Sequence, residues 1–253
     1  MAREIYQVRY AMVSSVSQLE KKFNLQSAVN WQPTYLARPG ELHPVVADRA
    51  NYQIDTFRWG IPLHLADKTY ENVAVENILQ HWKLKQNARS LLLKLIRQRR
   101  CLVFANCFMI SSENNWQKPW CVYLPDQRLF TMAAIWTVLP QNGYGFALLT
   151  QPANHFLRKL NQSRMPLILD EKEIKSWLQN KASYSLITSL LRHVYSSAKI
   201  NAYPIESALM QNEHNSKQLL QPTGELVVPE SIPVMNEKLI PLGWGHRKGN
   251  DWP

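Results

Sequence analysis

Short apolar runs along the chain predict two groups of β-strands. Those of the first group are residues 8–13, 43–47 and 52–57. In the third run, Tyr52, Ile54 and Thr56 alternate with Gln53, Asp55 and Phe57 and are predicted to share one face. The second group comprises residues 101–110, 118–124, 129–138 and 144–150. Turn-like segments join the strands of the second group, which predicts an antiparallel meander.

Helical patterns lie before, between and after the strands. A capping-box pattern, Ser17-x-x-Glu20, predicts a short helix that ends at residue 23. Residues 70–99 have apolar positions at helical spacing and form either one helix or two with a break near Lys85. Two further helices are predicted, one that begins at residues 170–173 and runs to Trp177, and one over residues 186–194.

These elements predict an α+β fold, rich in mostly antiparallel strands and flanked by helices. We expect residues 1–222 to form one domain, because no linker interrupts them. Residues 223–253 form a tail that contains prolines and two tryptophans, Trp244 and Trp252. Such tryptophans favour a tail that packs on or beside the domain.

Composition places the chain among ordinary globular proteins. Its 253 residues are 45% apolar and 19% charged, which excludes disordered, collagenous and coiled-coil classes. The N-terminus is charged where a signal peptide is apolar, and the longest apolar run, near residues 130–139, is too short to span a bilayer. We therefore expect a cytoplasmic protein without a membrane partner.

The number and spacing of the cysteines and histidines argue against disulfide bonds and a metal site. Cys101, Cys107 and Cys121 are an odd number without CxxC spacing, and we expect them to be buried free thiols. The seven histidines lack the spacing of metal ligands, so no metal site is predicted.

The positive charge of the chain is concentrated in its middle third. Lysine and arginine total 29 against 19 acidic residues, and residues 77–112 contain seven cations and no acid. Extending the window to Leu169 gives twelve cations and two acids. Such a field favours a polyanion such as nucleic acid, although a solvated basic helix face has the same composition.

Seven short blocks, in order, carry a family resemblance. They are Arg9-Tyr10, Ala37-Arg38-Pro39-Gly40 with Pro44-Val45-Val46, Arg58-Trp59-Gly60-Ile61-Pro62, Arg100-Cys101-Leu102-Val103, Phe130-Thr131-Met132-Ala133-Ala134-Ile135-Trp136, Thr150 with Ala153-Asn154, and Arg164-Met165-Pro166-Leu167-Ile168-Leu169. Together they resemble the SRAP family, the SOS-response-associated peptidases, from about residue 6 to residue 222. The resemblance implies a β-rich fold with a cationic cleft that binds single-stranded DNA and joins covalently to abasic sites.

Three positions that carry the family's chemistry differ in this chain. The family's N-terminal cysteine aligns with Gln7, its supporting glutamate with Ile110, and its histidine with Asn161 or Gln162. We therefore expect no catalytic residues and no cysteine-dependent crosslink. After removal of Met1, an amine at Ala2 could still form a reversible Schiff base with an aldehyde.

The resemblance also implies DNA-contacting residues. They are Arg9, Pro39, Arg58, Asn72, Glu76, Arg89 and Arg164. The family's Asn-Ala-Arg-x-Glu-Thr segment aligns either with residues 72–77, which lack its arginine, or with residues 87–90, which leave too little chain before Arg100. The arginines have an alternative role as partners of structural carboxylates, and Trp59 and Trp136 are predicted to be core residues.

The sequence thus predicts a catalytically degenerate single-stranded-DNA-binding protein linked to DNA damage and the SOS response. It is expected to be cytoplasmic, in association with the nucleoid, and to need no cofactor. Two alternatives stay open at this point. One is an interaction or scaffold protein that does not bind DNA, and the other is a residual amine-based abasic-site lyase or a peptidase-like enzyme.

Overall fold

The structure, a computed structural model, describes residues 7–27, 29–48, 53–62, 69–83, 90–111, 116–126, 128–140 and 143–229. The strands are β1 (Gln7–Met12), β2 (Thr34–Ala37), β3 (Leu42–Ala47), β4 (Ile54–Trp59), β5 (Ile61–Pro62), β6 (Thr69–Tyr70), β7 (Asn72–Ala74), β8 (Arg100–Ala105), β9 (Cys107–Ser111), β10 (Trp120–Tyr123), β11 (Phe130–Val138), β12 (Tyr144–Pro152), β13 (Arg164–Pro166), β14 (Ile168–Leu169) and β15 (Asn201–Pro204). The helices are α1 (Val16–Phe23), α2 (Val75–Lys83), α3 (Leu91–Gln98), α4 (His155–Lys159), α5 (Glu171–Leu178), α6 (Tyr184–Leu191) and α7 (Ser207–Gln211).

The larger sheet closes on itself. Its strand order is β13-β12-β4-β3-β8-β11-β14, and an additional pairing of β12 with β11 closes five of these strands into a ring. β12 pairs in parallel with β4 and β7, whereas the other described pairings are antiparallel. A smaller antiparallel sheet, β15-β10-β9-β1-β2, packs beside the ring. The predicted α+β class with mostly antiparallel strands is confirmed.

The predicted strand over residues 101–110 is wrong, because the chain changes sheets at Asn106. β8 belongs to the ring, and β9 pairs with β1 and β10 in the smaller sheet. The buried Asn106 amide fixes this change: its Oδ1 accepts from Val13 N at 2.8 Å, and its Nδ2 donates to Arg128 O at 2.6 Å. The predicted meander is therefore divided between two sheets.

Local signals predicted the helices with mixed success. The helix start at residues 170–173 is confirmed, since Asp170 and Glu173 form the capping box of α5. The capping box of α1 was assigned wrongly, because Ser15 and Gln18 form it and Glu20 instead accepts from Ser27 N at 2.9 Å.

Residues 70–99 do not form one continuous helix. They begin with two short strands, β6 and β7, and continue with α2 and α3, while residues 84–89 lie outside the described residues. The predicted alternation in the β4 region is also wrong, because Ile54 and Phe57 are both fully buried although they face opposite sides. Residues 26–27 cover Ile54, whose N–H donates to Gln26 O at 2.9 Å.

The core contains the residues that hydrophobic patterning predicted. Trp59 and Trp136 are buried, and the three cysteines are buried free thiols, as expected. Among the described residues, no helix is both long and apolar enough to cross a membrane.

Arg100 is a fully buried cation that joins β8 to two helices. Its Nε donates to Trp177 O at 2.7 Å, Nη1 donates to Ile96 O at 2.9 Å, and Nη2 donates to Gln179 O at 2.6 Å. These acceptors are carbonyls at the C-terminal ends of α3 and α5, where the last carbonyls have no donor within the helix. Gln179 O also accepts from Ala182 N at 3.2 Å. Asp48, 3.9 Å away, supplies the opposite charge, and burial raises the pKa of its carboxyl.

We expect Arg100→Met to lower the free energy of unfolding by about 3–5 kcal/mol, since it leaves buried carbonyls and Asp48 without their partner. Arg97→Met is the matched control, because Arg97 is an exposed neighbour on α3, and it should change stability by less than about 0.5 kcal/mol. Urea denaturation of both variants measures the difference. Equal stability of the two variants would contradict this role of Arg100.

Candidate functional site

Trp59, at the end of β4, is the centre of an aromatic cluster between the two sheets. Its side chain is fully buried, and its Nε1–H donates to Glu71 O at 2.9 Å. The ring stacks on Phe146 with centroids 6.1 Å apart and planes at 9°, and it lies 5.2 Å from the ring of Tyr10 on β1. β1, β12 and the segment before β7 therefore all contact the Trp59 side chain.

The turn between β2 and β3 is bound to the backbone of Trp59. Gly40 N donates to Trp59 O at 2.8 Å, and Trp59 N donates to Glu41 O at 2.9 Å. Gly40 has a φ of +88°, a left-handed conformation that glycine adopts without strain. Arg58 Nη1 donates to Gly40 O, so this exposed guanidinium stands beside the half-buried Pro39.

Arg9 lies over the cluster from β1. Its guanidinium carbon is 5.9 Å from the Trp59 ring centre and 5.7 Å from that of Trp116, and Nη1 donates to Val8 O at 2.9 Å. Within the described part of the chain, Arg9 and Arg58 form no salt bridge. Burial lowers the pKa of Arg9, and the nearby carboxylates of Glu71 and Glu213 act in the opposite direction.

The edge of the site carries both signs of charge. Arg38 Nη2 pairs with Glu41 at 2.7 Å, and its Nη1 pairs with Glu213 at 3.2 Å. The hydrogen bond to Glu41 is the main cause of the raised pKa of Arg38. Arg38 thus engages both carboxylates, whereas Arg9 and Arg58 form no salt bridge with any carboxylate in the part of the chain that the structure describes.

Asn72, at the start of β7, follows the Glu71 carbonyl that accepts from Trp59. It lies opposite Leu148 of β12 in parallel register, and its Oδ1 is buried without a hydrogen bond within the described residues. Of the predicted residues, Arg9 lies over the Trp59 ring and Arg58 precedes Trp59 in β4. Pro39 and Asn72 adjoin Gly40 and Glu71, which are hydrogen-bonded to Trp59. Arg89 lies outside the described residues.

Glu76, in the first turn of α2, pairs with Arg164 of β13. Two hydrogen bonds of 3.0 and 2.9 Å join the guanidinium to the carboxylate, and Arg164 Nη2 also donates to Thr150 O at 2.8 Å. Burial is the largest single influence on the pKa of Glu76 and raises it. The hydrogen bond from Arg164, a hydrogen bond from the backbone of Glu76 itself and the charge of Arg164 together outweigh burial, so the pKa is lowered. In this structure, Arg164 thus has the alternative, carboxylate-pairing arrangement.

The structure also places the three positions at which the sequence predicts a departure from the family pattern. In the β1–β9 ladder, Gln7 faces Ser111 and Val8 faces Ile110, so the positions expected to carry the thiol and the carboxylate are neighbours. Ile110 is fully buried in the apolar core. Gln162 is buried and donates to Leu160 O at 3.0 Å, whereas Asn161 is exposed with a φ of +59°.

The native thiols are unsuited to nucleophilic chemistry. Cys101, Cys107 and Cys121 are fully buried. Burial raises the pKa of Cys101 and Cys107 well above the usual range, which keeps these thiols protonated at neutral pH.

The basic middle third does not form one surface. Arg100 is internal, and Arg99 packs over Trp136 with its guanidinium carbon 5.2 Å from the ring centre. Lys94 and Arg97 are exposed on α3. The charge window therefore combines structural and solvated cations, which composition alone could not separate.

Asp170, Glu173 and His193 form a cluster that the sequence analysis did not identify, with potential ligand atoms within 4.8 Å of one another. His193 Nδ1 lies 3.0 Å from Glu173 Oε1, and Lys199 pairs with Asp170 at 3.4 Å. The two carboxylates also cap α5. Helix capping and these side-chain pairs explain why the two carboxylates lie together, so no metal ion is needed to explain the cluster.

Residues 8–212 match the model of the SOS response associated peptidase (SRAP) family. Abasic site processing protein YoqW of Bacillus subtilis is 22% identical over 229 residues, which cover 84% of this chain and 98% of that protein. Abasic site processing protein YoaM of the same species is 24% identical over 235 residues, with 84% and 96% covered.

Solved structures share the fold. A protein from Bacteroides thetaiotaomicron superposes with a TM-score of 0.70 at 19% identity, covering 85% of this chain and 98% of that one. A phage-related protein from Bordetella bronchiseptica gives a TM-score of 0.58 at 18% identity, with 79% and 94% covered.

We expect Trp59→Phe to lower the free energy of unfolding by about 1–3 kcal/mol, because it removes the hydrogen bond to Glu71 O and leaves a void. Trp82→Phe is the matched control. Trp82 is half-buried and meets Tyr184 edge-on at 4.5 Å, so its substitution should cost less than about 1 kcal/mol. Urea denaturation measures both, and a smaller loss for Trp59→Phe than for Trp82→Phe would show that Trp59 does not organise the site.

Proposed function

Because the chain belongs to the SOS response-associated peptidase family, we propose that it binds single-stranded DNA during the response to DNA damage without forming a cysteine-dependent crosslink. The observation that carries this proposal is the placement of Arg9 over the Trp59 ring, with Arg58, the Pro39-Gly40 turn and Asn72 next to Trp59 or to its hydrogen-bond partners. We further propose that the protein acts in the cytoplasm, on DNA of the nucleoid.

The electrostatics of this site support a phosphate backbone as its ligand. Arg9 and Arg58 present two guanidinium groups that form no salt bridge with a described carboxylate, and arginine suits phosphate because it donates several hydrogen bonds in one plane. Arg38 engages Glu41 and Glu213, which reduces their repulsion of an anion. Contacts to phosphate carry no sequence information, so binding should depend little on sequence.

The chemistry of the site supports the absence of the crosslink. The cysteine-dependent crosslink is a five-membered thiazolidine ring. It requires an α-amine that condenses with the aldehyde of the abasic site and a neighbouring thiolate that closes the ring. Gln7 supplies no thiol, and the native cysteines are buried. Ile110 is part of the core, where a carboxylate would have to lose its hydration.

We expect single-stranded DNA binding to weaken steeply with salt, and Arg9→Gln and Arg58→Gln each to reduce the slope of log K against log salt by about 0.7, the value for one phosphate contact on a single strand. Fluorescence anisotropy across a salt series measures the slope.

Arg192→Gln is the control, because Arg192 is an exposed arginine at the end of α6, far along the chain from the site. Its slope should equal that of the unmodified protein. An equal effect of all three variants would indicate a diffuse surface rather than the proposed site, and an absence of binding at low salt would refute DNA binding altogether.

We expect abasic single-stranded DNA to give no protein–DNA band on a denaturing gel, because no accessible thiol traps the aldehyde. Borohydride should not change this result. Reaction of the same DNA with a small aldehyde-reactive amine verifies that its abasic sites are intact.

A band without borohydride would contradict the proposed loss of chemistry. A band that needs borohydride would show that an amine attacks the aldehyde, with loss of water, to form a C=N bond that the hydride reduces. The protein would then be an amine-based lyase candidate.

A further inference from the structure

A groove unrelated to the Trp59 cluster lies between α1 and α5. Its volume is about 570 Å³, within the range of small binding sites. The floor is formed by Leu102 and Phe104 of β8, and the walls include Phe23, Leu25, Ile174 and Leu178. We call it the α1–α5 groove.

The α1–α5 groove is apolar inside and charged at its rim. Leu102 and Phe104 are almost fully buried, and the Phe23 ring lies 5.0 Å from that of Phe104. At the rim, Lys22 pairs with Glu171 at 3.5 Å, whereas Lys175 is exposed and forms no ion pair within the described residues. Such a groove suits an apolar segment rather than a polar ligand.

The last described residues run toward this groove. Val227 forms an antiparallel bridge with Ala202 of β15 through hydrogen bonds of 2.8 and 3.0 Å. The chain beyond Val227 therefore runs back past Ile200 toward Lys199, and Pro229 is buried. Lys199 pairs with Asp170, the cap of α5, and the next residue, Glu171, lies on the rim of the groove.

The sequence that follows contains a segment that fits. Residues 230–253 lie outside the described residues, and residues 239–244 among them read Leu-Ile-Pro-Leu-Gly-Trp. An extended chain covers about 3.3 Å per residue, so residues 230–239 reach about 30 Å. That reach exceeds the length of α5, whose eight residues rise about 1.5 Å each.

We propose that residues 239–244 dock in the α1–α5 groove of their own chain. The apolar side chains of the segment would cover the partly exposed Phe23, Leu25 and Ile174. Glu237, just before the segment, would complement Lys175. The groove shares no lining residue with the Trp59 cluster, so the two sites are separate. This inference goes beyond the proposed function and does not depend on it.

Disulfide trapping in the full-length chain tests the proposal, because the three native cysteines are fully buried. Asn24→Cys places a thiol on the exposed edge of the groove and is combined with Leu242→Cys. The control pair is Arg192→Cys with Leu242→Cys. Arg192 is exposed and adjacent to His193, which contacts Asp170 and Glu173, so it is similarly accessible to a tethered chain.

Under mild oxidation at low protein concentration, we expect the Asn24 pair to form an intramolecular disulfide at least tenfold faster than the control pair. Adding Trp244→Asp, which removes apolar contact without shortening the tether, should abolish this preference. Equal rates for the two pairs, or a preference that Trp244→Asp leaves unchanged, would overturn the proposal. Predominant intermolecular disulfides would overturn it too and assign the groove to a second copy of the chain.

Discussion

The arrangement of the candidate site depends on one buried indole. Trp59 has no contact with solvent, yet its side-chain N–H and both of its backbone polar groups are hydrogen-bonded to three different positions along the chain, Gly40, Glu41 and Glu71. A buried N–H without an acceptor would cost about 1–3 kcal/mol, so the segment before β7 is held where it can accept. Trp59 in turn positions both arginines, because Arg58 precedes it in β4 and Arg9 lies over its ring.

The closed ring of strands holds Trp59 in place. β4 pairs with β3 on one side and with β12 on the other, so Trp59 cannot move without disturbing both neighbours. Arg100 also stabilises the ring. It lies on β8 and donates hydrogen bonds to carbonyls at the C-terminal ends of α3 and α5, which fixes both helices to that strand. These contacts involve none of the three positions at which the sequence predicts lost chemistry, and Ile110, one of those positions, is fully buried in the core.

The sequence predicted what depends on neighbours along the chain. The capping box of α5 and most strand positions were predictable because their signals are local. The change of sheet at Asn106 was not, since it depends on hydrogen bonds to residues 13 and 14, far away in sequence. The candidate site shows the same division. Short motifs identified Arg9, Arg58 and Asn72, but neither the Trp116 ring beside Arg9 nor the pairing of Arg164 with Glu76 has a local signature.

We propose that single-stranded DNA binds over the Trp59 cluster rather than on the basic helices. Photo-crosslinking of single-stranded DNA that contains 4-thiothymidine, followed by mass spectrometry, identifies the peptides in contact. We predict crosslinks in β1 near Arg9 and in the turn that contains Pro39. Crosslinks confined to α3, at Lys94 or Arg97, would contradict the account and assign binding to the solvated basic face.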